Sequence, residues 1–135
     1  MHRSQTRHSR CKPRSGGSLR AKDLAAGEIR QGPRAYGTID NDGPQFIGTH
    51  PGLVSVTMPQ TGIYCIVPAA GVPSVNAHAQ ATVEWFDSTG VDLLVQVSSE
   101  PSNCTPGNLA VLTWAINNSG GVDASSGAAF TLLVP

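Results

Sequence analysis

Three cysteines, four histidines and nine carboxylates are the residues of this 135-residue chain best suited to chemistry, and their spacing limits what they can do. Cys65 sits in the apolar run Ile63-Tyr64-Cys65-Ile66-Val67, and Cys104 in the proline-bounded stretch Pro101-Ser102-Asn103-Cys104-Thr105-Pro106. One cysteine in a strand and one in a loop, about forty residues apart, suit a disulfide that pins the loop to a sheet. In the loop-entropy picture such a closure contributes roughly 4 kcal/mol. A zinc site fails on ligand count, because two cysteines and the scattered His50 and His78 match no tetrahedral spacing. A pair of buried thiols remains the alternative. A disulfide implies an oxidising compartment, and Cys11 is left over as a free thiol in a basic segment.

The other reactive types point away from catalysis. Serines are plentiful, but no G-x-S-x-G elbow occurs and no histidine is placed beside one as a base. His50, in Gly48-Thr49-His50-Pro51-Gly52, and His78, in Asn76-Ala77-His78-Ala79, read as solvated loop residues. Glu84 and Asp87 fall on opposite faces of one run and so form no acid/base pair. Asp40-Asn41-Asp42-Gly43 resembles the start of a calcium loop, but the downstream glutamate is missing, and an Asx turn accounts for it more simply. Tyr64, Trp85, Phe86 and Trp114 are among the large aromatics of this region. An exposed row of them would make a sugar-stacking platform. Trp85 and Trp114 share the periodicity of aliphatic neighbours, however, and are assigned to the core. The expectation is a non-enzyme with no cofactor, no metal site and no catalytic residue.

The elements that hold these residues are short. β-type runs at 34–40, 53–58, 63–67, 81–87, 91–98, 109–117 and 129–134 are rich in Val, Ile, Thr and aromatics. Gly, Pro, Asn, Asp and Ser fill the gaps, as in Asn41-Asp42-Gly43-Pro44, Pro59-Gln60-Thr61-Gly62 and Ser88-Thr89-Gly90. The last two read as hairpin connections. Alternation groups Ala81, Val83 and Trp85 against Thr82, Glu84 and Phe86. It groups Val91, Leu93, Val95 and Val97 against Asp92, Leu94 and Gln96, and Leu112, Trp114 and Ile116 against Val111, Thr113 and Ala115. Val56, Leu94 and Phe86 fall opposite the better-marked stripes and leave apolar surface exposed. A period of two repeated at about ten-residue spacing predicts an all-β fold, an antiparallel β-sandwich of about seven strands.

Charge divides the chain. Before Arg34 there are eight basic residues against Asp23 and Glu28; from Arg34 onward that arginine alone faces seven acids, a swing from +6 to −6. The division predicts a disordered basic tail at 1–17, a short stem or linker at 18–33 and the sandwich at 34–135. A domain with one arginine and no lysine is a poor nucleic-acid surface. No run of 18 apolar residues could span a membrane as a helix. The basic start lacks the apolar segment of a signal peptide. Combined with the disulfide, this leads to the expectation of a fragment of an exported protein, or a start codon set in the wrong place.

Several motifs resemble an uncharacterised bacterial family of secreted or surface proteins. They are Arg34-Ala35-Tyr36-Gly37-Thr38-Ile39-Asp40, Val54-Ser55-Val56-Thr57, Thr61-Gly62-Ile63-Tyr64-Cys65-Ile66, a second cysteine at Cys104, Ala110-Val111-Leu112-Thr113 and the closing Ala129-Phe130-Thr131-Leu132-Leu133-Val134. Gly17-Ser18-Leu19-Arg20-Ala21-Lys22-Asp23-Leu24-Ala25-Ala26-Gly27-Glu28-Ile29 is similar to a repeat that builds stalks in related bacterial proteins. The chain departs from that pattern in having one stem unit and no collagen-like run. The resemblance implies an exported stalk-and-head protein and assigns no functional residue. The expectation is a structural or interaction head, adhesive in character, secreted or on the cell surface, with a surface glycan or protein as ligand. A carbohydrate-binding module is the alternative. The spacing of Leu19, Leu24 and Ile29 leaves the stem needing partner chains, and a homotrimer is the arrangement that closes such a bundle.

Overall fold

A computed structural model describes residues 32–74, 78–98 and 103–135. The basic tail at 1–17 with Cys11, and the stem apart from Gly32 and Pro33, lie outside the described residues. The described chain is all-β, without a helix, and its nine strands form two antiparallel sheets. They are β1 (Ala35–Ile39), β2 (Phe46–Ile47), β3 (Leu53–Gln60), β4 (Ile63–Pro68), β5 (Gln80–Glu84), β6 (Leu93–Ser98), β7 (Leu109–Ile116), β8 (Val122–Ala124) and β9 (Ala129–Val134). The first sheet runs β2-β1-β9-β5; the second runs β3-β4-β7-β6, with β8 also pairing β7. The seven expected runs all contain a strand. β2 and β8, at two and three residues, are too short for any alternation to reveal.

Inward residues from both sheets make one core. Ala35 and Ile39 of β1 and Phe130, Leu132 and Val134 of β9 meet Leu53, Val56, Tyr64, Ile66, Leu109 and Val111 from the second sheet. Tyr64 and Phe130 pack edge to face with ring centroids 5.0 Å apart, the geometry that the ring quadrupole favours. Thr113 is the polar member of this interior. Its hydroxyl donates to the carbonyl of Ser125, so the group is not left unpaired.

Several expectations fail, each for a local reason. Trp85 is 66% exposed and is no core residue, because β5 ends one residue before it. Trp114 is only half-buried, since the inward residues of β7 are Leu109, Val111 and Thr113. It stands in register with Leu94 and Ala124 on the other side of the sheet. Where both alternate sets of a strand are apolar, periodicity sorts residues into faces without saying which face is inside. Val56 is buried rather than exposed. Its strand continues through Pro59 to Gln60, with a register irregularity between Thr57 and Gln60. A proline fits there because β3 is an edge strand and need not donate on both sides. The turn is thus only Thr61-Gly62, with Gly62 at φ +76° and no room for a side chain, since a Cβ there would lie 2.6 Å from the Thr113 carbonyl oxygen.

Thr61-Gly62 closes the expected β3–β4 hairpin, whereas Ser88-Thr89-Gly90 closes none. β5 pairs with β9 in one sheet and β6 with β7 in the other, so residues 85–92 cross between sheets. The Glu84 carboxylate accepts the Phe86 amide at 2.7 Å and bends the chain away from its strand. Asp92 takes φ 55°, and its carbonyl accepts the Ile116 amide, which seats β6 in the second sheet.

Candidate functional site

Cys65 and Cys104 are disulfide-bonded across 39 positions, with Cα atoms 5.4 Å apart. Cys65 lies in β4 in register with Ala110 of β7, and Ile63 packs against the pair. Beside the bond, the Asn103 side-chain amide donates to Gln60 Oε1 at 3.1 Å. The bridge therefore fixes a loop onto the outer side of the second sheet. Both cysteines are buried, so this is a staple.

The histidines do not converge on anything reactive. His78 is exposed. His50, expected in solvent, is half-buried: its ring stacks on Phe46 at 4.1 Å and its Nδ1 donates to the Leu53 carbonyl at 2.9 Å. A carbonyl can only accept, so Nδ1 carries the proton. Sequence spacing could not show this, since the partner ring belongs to the two-residue strand β2.

A concave feature lies elsewhere. Residues 40–42, after β1, and 86–89, after β5, line an open cleft of about 280 Å³. The first wall is an Asx turn, as expected. Asp40 Oδ1 accepts the Asp42 amide at 3.2 Å, and Oδ2 accepts Gln45 Nε2 at 3.1 Å. These bonds favour the charged form, the Asp42 amide most strongly, and hold the Asp40 carboxyl below the usual carboxylate range. The second wall is anchored to β9. Ser88 Oγ donates to the Glu84 carbonyl and accepts the Ala129 amide at 2.9 Å, while the Thr89 amide donates to the Gly127 carbonyl at 2.8 Å. Asn41 joins the walls, its Nδ2 donating to Thr89 Oγ1 at 2.9 Å and to the Gly127 carbonyl at 3.3 Å. Gly127 permits this approach: a Cβ there would lie 2.4 Å from the Thr89 carbonyl oxygen.

Phe86 projects from this bonded frame at 94% exposure, on the wall of the cleft. Trp85 is exposed beside it in sequence but does not line the cleft. Asp42 and Asp87 also line the cleft. Among the described residues, no three His, Cys, Asp or Glu side chains are grouped to hold a metal ion. No described helix is long and apolar enough to cross a membrane. The Asx turn and the outward Phe86 are each legible in sequence. Their meeting is not, because it depends on the crossover after β5 and on Gly127.

No protein-family model matches the chain, and neither a curated protein nor a solved structure matches it.

Proposed function

We propose that residues 34–135 are a non-catalytic interaction head of an exported protein, and that its contact surface is the cleft between residues 40–42 and 86–89. The observation that carries this reading is the 94% exposure of Phe86. A buried phenylalanine gains about 1.5–3 kcal/mol over an exposed one. A ring left in solvent on loops tied by at least five hydrogen bonds is held out at a fixed place, and a ligand that covers it recovers that free energy. Ser88 supports a scaffold role over a nucleophilic one, because its hydroxyl is committed to Glu84 and Ala129. The Cys65–Cys104 bond supports an oxidising location, and the stalk-like motif at 17–29 supports display on a stem, as a homotrimer.

The exposed aromatic on a polar cleft favours the carbohydrate-binding form of this reading over a purely structural head. A screen of the full chain on immobilised glycans and matrix proteins, with Phe86→Ala in parallel, tests it. At least one surface should retain the native chain and lose the variant. Equal behaviour of the two chains on every surface would sink the proposal. Sedimentation of the full chain tests the trimer separately, and a monomer at tens of micromolar removes it.

A further inference from the structure

The cleft has a composition that selects among ligands, and we infer that it takes a non-acidic saccharide, one ring of which stacks on Phe86 while its hydroxyls bond to Asp42, Asp87 and Thr89. This inference rests on the interaction-head reading and names the chemical class of the ligand.

Three observations lead to it. The first is the isolated apolar platform. Phe86 stands among polar groups with no aliphatic side chain lining the cleft beside it. An extended apolar peptide would leave those polar groups desolvated and unpaired. A sugar ring has one apolar C–H face of about the area of a phenyl ring and a rim of hydroxyls, which matches a single ring set in a polar cleft. At about 280 Å³ the cleft is at the small end of ligand sites and has room for roughly one such ring.

The second is the excess of acceptors. Asp42 and Asp87 make no side-chain hydrogen bond or ion pair among the described residues, and Asn41 has spent its amide hydrogens on Thr89 and Gly127 while its Oδ1 stays available. A ligand must therefore bring donors. Its own acceptors would find the Thr89 hydroxyl, which accepts from Asn41 and still has a proton to give. A hydroxyl group both donates and accepts. A guanidinium or ammonium only donates, and would leave that proton without a partner.

The third is sign. Asp40, Asp42 and Asp87 border the cleft, and the head from residue 34 onward has a single basic residue, Arg34. Uronates, sialylated or phosphorylated glycans would bring like charge against carboxylates, and no lysine or arginine is among the described residues that line the cleft. Neutral sugars meet no such penalty, and amino sugars gain attraction.

Titration of the full chain with neutral gluco-, manno- and galacto-oligosaccharides, a chitosan oligosaccharide, oligogalacturonate and hexa-arginine tests the inference. A neutral or amino oligosaccharide should bind, with oligogalacturonate about tenfold weaker or undetectable. Phe86→Ala should weaken the saccharide about five- to tenfold, with an unchanged melting temperature as evidence that it folds. Trp85→Ala, off the cleft, should bind as the native chain does. Asp87→Asn, which keeps the shape and removes the charge, should let oligogalacturonate gain on the neutral sugar. Failure of every oligosaccharide to bind, equal binding of oligogalacturonate, or indifference to Phe86→Ala overturns the saccharide assignment. If hexa-arginine alone binds, and does so through Phe86, the cleft is a contact surface for basic peptides and only the saccharide inference is lost. If Phe86→Ala alters no interaction of any kind, the interaction-head reading falls with it.

Discussion

Phe130 and Phe86 are the same residue type in two regions organised by opposite rules. Phe130 is fully buried in β9, packed edge to face on Tyr64 between the sheets. Phe86 is 94% exposed on a loop whose hydrogen bonds hold its backbone and leave its ring free. In the interior the side chain fixes the position and the backbone follows the sheet. At the cleft the backbone is fixed by Glu84, Ser88, Thr89 and Asn41, and the side chain is what the fold presents. Apolar content therefore reports the core only where a strand carries it.

The comparison is tested most severely by truncating both rings. Phe130→Ala should cost about 3–5 kcal/mol of unfolding free energy, a large share of a small domain's stability. Phe86→Ala should stay within about 0.5 kcal/mol of the native chain. Urea denaturation of the two variants measures both. Similar costs for the two rings would show that Phe86 packs against something in solution and would end its reading as a presented side chain.

The same contrast explains what could be read in advance. Alternation in 91–98 groups Leu93, Val95 and Val97 against Leu94 and Gln96, and in β6 the first set is the more buried, with Val95 and Val97 packed against the core. Alternation in 81–87 misplaces Trp85, because the period of two has meaning only while the chain stays extended, and Glu84 ends the strand. In β7 the grouping holds and the inside is misassigned, since Leu112, Trp114 and Ile116 are as apolar as the inward set. Which set is buried depends on which sheet covers it, and that is decided by distant strands. The disulfide was legible because one cysteine lay in an apolar run and the other in a proline-bounded loop. The cleft was not, because residues 41 and 89 are joined only through the sheet-to-sheet crossover.

The disulfide is a second lever on the comparison. Reducing Cys65–Cys104 should lower stability by about 2–4 kcal/mol, since the opened loop restores chain entropy to the unfolded state. The bond lies on the outer side of the second sheet, whereas the cleft is held by β1, β5 and β9 of the first. Thermal unfolding with and without reductant measures the loss. Ligand binding by the reduced chain, measured well below its melting temperature, should be unchanged. Loss of cleft function on reduction at low temperature would show that the two regions form one mechanical unit.

Gly127 gives the opposite bias. Its missing Cβ is what allows Thr89 to approach, so Gly127→Ala forces a backbone carbonyl to move. The cost should be about 1–3 kcal/mol, smaller than that of Phe130→Ala. The local consequence should be larger, because Asn41 and the Thr89 amide both bond to the Gly127 carbonyl. Amide exchange in the crossover after β5 should speed up while exchange in β4 and β7 does not. Uniform acceleration throughout the fold would contradict the division between a packed interior and a hydrogen-bonded rim.

The smallest expected effect is acid-linked and belongs to the rim alone. Asp40 is held below its ordinary value of 3.8 by the Asp42 amide and then by Gln45. A carboxylate depressed in the folded state stabilises it at pH values above the unfolded value, and that contribution is lost as pH falls through the folded one. Protonation removes the charge that the Asp42 amide bonds to, so the Asx turn should loosen as pH falls through the lowered Asp40 value. The Asp40 carboxyl is open to solvent, which keeps the effect small. Nuclear magnetic resonance of the Asp40 carboxyl and the Asp42 amide should show one shared titration step below 3.8. The resonances of Phe130 should not move through that step. Asp40→Asn should abolish it, since an amide keeps an acceptor oxygen for Asp42 and does not titrate. A carboxyl titrating at or above the ordinary value would mean that the turn does not hold in solution. The first wall of the cleft would then lack the rigidity that a presented Phe86 requires of its surroundings.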